Sequence, residues 1–160
     1  MPDMLVKLYD LPAVERDIKR LGDEGIVIRR AMPSEKHTVV QWVRGTFGAA
    51  WASECDVAFG NHPVSCIIAA EKGKIVGFCC YESTYKNFFG PMGVAESGRG
   101  RGIGRALTLS CLEAMARMGY AYAIIGGVGP AEFYAKVAGA TAIPGSSPGI
   151  YRDRLTETEN

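Results

Sequence analysis

The chain has 160 residues, 48% of them hydrophobic and 22% charged, which suits one globular domain with a sizeable core. Its 18 basic and 17 acidic residues leave a net charge of +1, so nothing global favours DNA, RNA or a membrane surface, and any use of charge has to be local. No window approaches the ~20 apolar residues of a membrane span, and residues 1–21 carry acids and bases throughout, unlike a signal peptide.

The five cysteines, Cys55, Cys66, Cys79, Cys80 and Cys111, are odd in number and show no CxxC spacing. Neither a disulfide framework nor a zinc site is expected, and they read as small apolar residues in a reducing cytoplasm.

In chain order, residues 11–23 place Leu11, Val14, Ile18 and Leu21 at helical spacing, so residues 1–25 read as an N-terminal helical extension. Residues 26–32 form a short β-branched strand. Pro33 suits the first turn of a helix whose stripe runs through Val39, Trp42, Val43 and Phe47. Residues 49–63 read as irregular. Residues 65–71 and 74–84 form a hairpin about Lys72-Gly73, with Cys79 and Cys80 on opposite faces. Residues 88–94 are an apolar run in which Gly90, Pro91 and Gly93 favour a bulge or bend. A helix over residues 102–118 is expected to bury Ile103, Leu107, Ser110/Cys111, Ala114 and Met118, with Arg105, Thr108, Glu113 and Arg117 in water. A buried strand at 121–127, a helix at 130–138 with Phe133, Tyr134 and Val137 inward, and a Gly/Ser/Pro-rich tail with a strand near Ile150-Tyr151 complete the order. Residues 156–160 read as frayed. The pattern predicts an α+β domain over 1–160, with a mixed, mostly antiparallel sheet flanked by helices.

The chemistry concentrates at residues 97–105, where four glycines alternate with Arg99, Arg101 and Arg105 as a helix begins. Glycines let backbone amides approach a ligand, and the first turn of a helix offers unpaired N–H groups and partial positive charge. Cations oppose the dipole there, by roughly 0.3–1 kcal/mol each, a misfit that a bound polyanion would relieve. GxxxxGK[ST] is absent, and each GxG pair lacks the third glycine of GxGxxG, which disfavours a P-loop and a dinucleotide fold.

What fits is Arg99-x-x-Gly102-x-Gly104, which resembles the pyrophosphate loop of the GNAT superfamily of N-acyltransferases. Ala131-Glu132-Phe133-Tyr134 is similar to that family's Phe-Tyr motif, and the resemblance runs from Ile26 to about Tyr151. It implies a sheet whose two central parallel strands, 88–94 and 121–127, splay around acetyl-coenzyme A. Backbone groups at Met92, Gly93 and Val94 would hold the pantetheine. Amides from Gly100 through Arg101, Gly102, Ile103 and Gly104 to Arg105 would hold the pyrophosphate, aided by Arg99 or Arg101. Tyr134 would protonate the departing thiolate, an amine would attack the thioester directly, and no metal would be needed. Two departures stand out: Val128 takes the place of an asparagine, and Gly139 lies five rather than four residues after Tyr134. A base for the amine is not evident on strand 88–94. Glu82 is the leading candidate, with Glu54, Asp56 and His62 as others and His37 a remoter one. Trp51, Glu54 and Asp56 are read as a lid for a small-molecule amine. The resemblance leaves a homodimer open. A catalytically silent coenzyme A sensor is the alternative, followed by a nucleotide-dependent enzyme and a nucleic-acid binder.

Overall fold

The computed structural model describes residues 1–156. In chain order the elements are β1 (Met4–Lys7), α1 (Glu15–Asp23), β2 (Ile26–Arg30), α2 (Lys36–Phe47), α3 (Ala49–Phe59), β3 (Cys66–Glu71), β4 (Lys74–Tyr81), β5 (Phe88–Val94), α4 (Ile103–Arg117), β6 (Tyr122–Ile125), α5 (Ala131–Ala138) and β7 (Thr141–Ala142). Among the described residues the strands make one seven-stranded sheet in the order β2-β3-β4-β5-β6-β1-β7. Every pairing is antiparallel except β5 with β6. The α+β architecture is therefore the expected one.

Each face of the sheet carries its own core. One is built under α1, α4 and α5 from Leu21, Leu107, Leu112, Met115, Phe89, Ile125 and Tyr134. The other lies under α2 and α3 and contains Val39, Val43, Ala52, Phe59, Ile68 and Phe78. Cys79 joins the first and Cys80 the second, as strand alternation requires. On the α2/α3 face Trp42, Phe47, Trp51 and Phe78 form an aromatic cluster with ring centroids 5.2–6.1 Å apart.

Several expectations are corrected. Residues 1–25 are not only helical: Met4 and Val6 alternate inward, and β1 lies between β6 and β7. Its partners stand more than a hundred residues away, which a local pattern does not reveal. The first helix begins at Glu15 rather than Leu11. Residues 49–59 form helix α3, with Ala52, Cys55, Ala58 and Phe59 turned inward at three-to-four spacing. Gly48, at φ 104°, separates it from α2. At α4, Thr108 is buried, whereas Met118, just past the last helical residue Arg117, is exposed. Ile150-Tyr151 lies in a 3-10 turn, not a strand. Of the expected frayed tail, residues 157–160 lie outside the described residues.

Candidate functional site

The site begins where the sheet opens. β5 and β6 pair only through Phe88 with Ile124 and Phe89 with Ile125. Beyond Phe89 an extra residue enters β5: Tyr81 faces Phe89 but Cys79 faces Met92. Gly90, at φ 110°, and Pro91 occupy this bulge, which bends β5 away from β6 as the sequence suggested. The Ala95 amide donates to the Val76 carbonyl at 2.8 Å. Antiparallel ladders alternate, so Gly93 shares the next hydrogen-bonded pair with Phe78. Met92 and Val94 consequently turn their N–H and C=O groups the other way, into the gap left by β6. Gly93 does not. It serves instead as the seat of the Phe47 ring, which a Cβ there would strike.

The wedge leads to the start of α4. Gly98 tucks against Val94 and Ile103, where a Cβ would come within 3.1–3.2 Å of their side chains. Gly100 and Gly102 hold φ of 77° and 83°, the left-handed region in which glycine alone is unstrained. Among the described residues, no amide from Gly100 to Arg105 donates a hydrogen bond of normal geometry. A short curved segment of the chain thus presents a row of N–H donors at a helix start, the arrangement that receives phosphate.

The three loop arginines are not equivalent. Arg101 forks onto Glu71 at 2.8 and 3.3 Å, and Arg105 lies 3.4 Å from Asp17. Their charge is thereby largely answered inside the protein, and the expected misfit with the helix dipole is relieved in part by acids from β3 and α1. Arg99 is exposed and makes no ion pair among the described residues. From α1, Arg20, itself paired with Glu24 at 3.2 Å, donates to the Arg101 carbonyl at 3.2 Å and lies over Gly102. Nothing in the sequence singles out Arg20, because the contact joins residues 81 positions apart.

The side chains of Met92, Val94 and Phe133 converge on Gly104, within 3.9 Å of a Cβ built there. This brings the end of β5, the start of α4 and the Phe133-Tyr134 pair to one place. Tyr134 is 6% exposed and packs edge-on against Phe89 and Phe133, at centroid separations of 5.7 and 5.1 Å. Burial, with the neighbouring Cys79 and Cys111, pushes its phenol well above the ordinary value of 10. Its hydroxyl makes no hydrogen bond to another described residue, so its proton is available to a ligand.

On the opposite face, Tyr151 covers Gly126 and Gly127, the residues that follow the last paired position of β6, and Phe88 flanks it there. Burial and then the charges of Glu54 and Asp3 raise the Tyr151 phenol. Asp3 is buried and accepts the Gly127 amide at 2.8 Å. Glu54 accepts a 2.5 Å hydrogen bond from Thr84.

The lid residues separate in the structure. Trp51 and Glu54 lie on one side of α3, with Trp51 5.2 Å from the Phe47 ring. Asp56 points outward to Lys36 at 2.8 Å, both about half exposed, on a different side of α3 from Trp51 and Glu54. Glu82 and His62 line a separate cavity beneath the C-terminal half of α4, which includes neither Tyr134 nor any residue of the 97–105 loop.

Cysteine spacing hid one more cluster. Cys55, Cys66 and Cys80 place their sulfurs within 4.8 Å of one another, fully buried. Hydrogen bonding from Cys66 and Cys80 draws the Cys55 thiol down, while Cys66 is raised chiefly by its bond to Cys55 and Cys80 chiefly by burial. The surrounding chamber is apolar, with Ala52, Phe59, Ile68 and Phe78, and suits thiols packed as small hydrophobes.

The fold is thus an α+β domain whose sheet opens between two parallel strands, beside a helix start with free amides. The chain belongs to the acetyltransferase (GNAT) family, whose sequence profile matches residues 36–139. Solved structures agree on the fold. A GCN5-related glucosamine N-acetyltransferase region of a fungal multi-domain GH3 β-N-acetylglucosaminidase superposes with a TM-score of 0.71 at 19% identity, over 89% of this chain and 19% of that one. A GCN5-related N-acetyltransferase from Sphaerobacter thermophilus gives 0.68 at 22% identity, over 89% and 48%. One from Kribbella flavida gives 0.58 at 16%, over 88% and 53%. The chain thus spans between about a fifth and about half of the length of these structures. No curated protein matches the sequence.

Proposed function

We propose that the protein transfers an acyl group, acetyl in the simplest case, from acetyl-coenzyme A to the amine of a small molecule. The observation that carries this is the open edge of β5. Met92 and Val94 aim their backbone groups into a wedge that runs from the amide row at Gly100–Arg105 to Tyr134. The site fits coenzyme A at both ends: amides with Arg99 for the pyrophosphate, and a strand edge for the two amides of the pantetheine arm. The cofactor supplies an activated acyl carbon, so no covalent enzyme intermediate is required.

The residues of this chain then have distinct tasks. Tyr134 keeps its proton at neutral pH because burial raises it. A free thiolate has a pKa of ~8.5, so complete transfer from such a phenol is uphill. Tyr134 therefore acts mainly by donating a hydrogen bond to the leaving sulfur as charge develops there. Glu54, fixed by Thr84 on the face that Tyr151 covers, holds the acceptor as an ammonium ion and takes up its proton. In this scheme Glu54 replaces Glu82, whose carboxylate lies beneath α4.

The test is an acetyl-coenzyme A turnover screen over a library of small amines. Turnover with at least one amine, reduced about 10²-fold in Tyr134→Phe with cofactor binding kept, is expected. Tight cofactor binding with no amine consumed would instead establish a sensor.

A further inference from the structure

A cavity of about 490 Å³ lies away from the wedge. It is bounded by the C-terminal half of α4, the start of β3, and the ends of β2 and β4. On α4, Ser110 and Ala114 face it, whereas Cys111, Leu112 and Met115 belong to the core that holds Tyr134. Helix α4 therefore stands between this cavity and the acyl-transfer wedge.

Its wall carries opposite charges with unused hydrogen-bonding capacity. The Glu82 side chain is only 5% exposed. Its Oε1 accepts the Asn87 amide at 2.8 Å, but Oε2 is buried without a hydrogen bond. Lys86, 90% exposed, reaches only to 3.5 Å. The Tyr120 phenol, raised by burial and then by its hydrogen-bonding approach to Glu82, still leaves Oε2 without a partner of good geometry. The Ser110 hydroxyl is likewise buried and unpartnered. Arg30, which also lines the cavity, spends both hydrogens of Nη1 on the Val64 carbonyl at 2.6 Å and the Tyr81 hydroxyl at 2.5 Å. The remaining donors of its guanidinium, on Nε and Nη2, make no hydrogen bond among the described residues. At the rim, Arg117 is closed off by Glu113 at 2.5 Å.

A buried carboxylate oxygen calls for a cationic donor, and a guanidinium with a free edge calls for a planar anion. A volume in the range of ~300–1,000 Å³ has room for both on one small ligand. We propose that this cavity is a second small-molecule site, taking a zwitterion of α-amino-acid type with its ammonium group on Glu82 and its carboxylate on Arg30 and Ser110. The ligand would bear directly on the wedge, because the Glu82 amide donates to the Phe88 carbonyl at 2.9 Å, where β5 begins its pairing with β6.

The probe is a panel of the common L-α-amino acids, each with its decarboxylated amine and its 2-hydroxy acid, read by calorimetry and by melting shift on the full chain. At least one amino acid is expected to bind. Both one-charge analogues and the Glu82→Gln variant should weaken it by about tenfold or more. Ala114→Leu, and independently Ser110→Leu, fill the cavity from α4. Each should abolish amino-acid binding while leaving coenzyme A affinity unchanged, which separates failure here from failure of the transferase assignment. If no amino acid shifts the wild type, or if a bound one survives in whichever filling variant folds, the proposal is overturned. An amine or hydroxy acid that binds as well as the parent amino acid overturns it too.

Discussion

Gly102 and Gly104 are two residues apart, yet the same substitution should act in opposite directions. Gly102 precedes α4 at φ 83°, and alanine in the left-handed region costs about 1–2 kcal/mol. Its new Cβ would also lie 2.5 Å from Nη2 of Arg20, so that side chain must move and release the Arg101 carbonyl. At ~2–4 °C per kcal/mol for a chain of this size, Gly102→Ala should melt about 2–8 °C lower. Restoring an unstrained backbone would swing the loop amides out of line, and coenzyme A affinity should fall about tenfold or more. Gly104 has helical backbone, and a Cβ there would meet Phe133, Val94 and Met92 at 3.6–3.9 Å, ordinary contact distances. Gly104→Ala should therefore gain up to about 0.5–1 kcal/mol of helix stability and melt about 1–4 °C higher, with cofactor binding kept. Scanning calorimetry with and without coenzyme A measures both effects. If Gly102→Ala retains wild-type melting and wild-type affinity, the amide row is not the phosphate site.

Glu54→Gln should raise KM about tenfold for cationic acceptors and leave coenzyme A affinity alone; an unchanged KM across the amine library would remove Glu54 from the acceptor site. Acid should weaken the fold through Glu35 and Glu71. Arg29 holds Glu35, and Arg101 holds Glu71, below the ordinary carboxyl value of 4.5. The stability they contribute is complete above that value and is lost as pH falls through their lower folded values. Denaturant midpoints measured from pH 6 to pH 3 should decline less steeply in Glu35→Gln, and an identical slope would contradict the pairing.

The loop and the helix behind it were legible from sequence because both rest on short-range chemistry. Glycines that need positive φ, amides left free at a helix start, and a Phe-Tyr pair at a fixed place in the element order are local features, and the bulge at Gly90-Pro91 follows from the same reasoning. Only tertiary structure could show that Arg101 and Arg105 are already answered by Glu71 and Asp17, that Arg20 crosses from α1 to the loop, and that β1 joins the far side of the sheet. Each of these depends on residues distant in the chain. The division is sharpest for the acids. As a sequence, Glu82 leads and Glu54 and Asp56 follow as candidate bases, but a carboxylate's composition does not tell which way it faces. Packing sends Asp56 outward to Lys36, Glu54 to Thr84, and Glu82 beneath α4, because helical turn and strand end fix directions that identity alone leaves free.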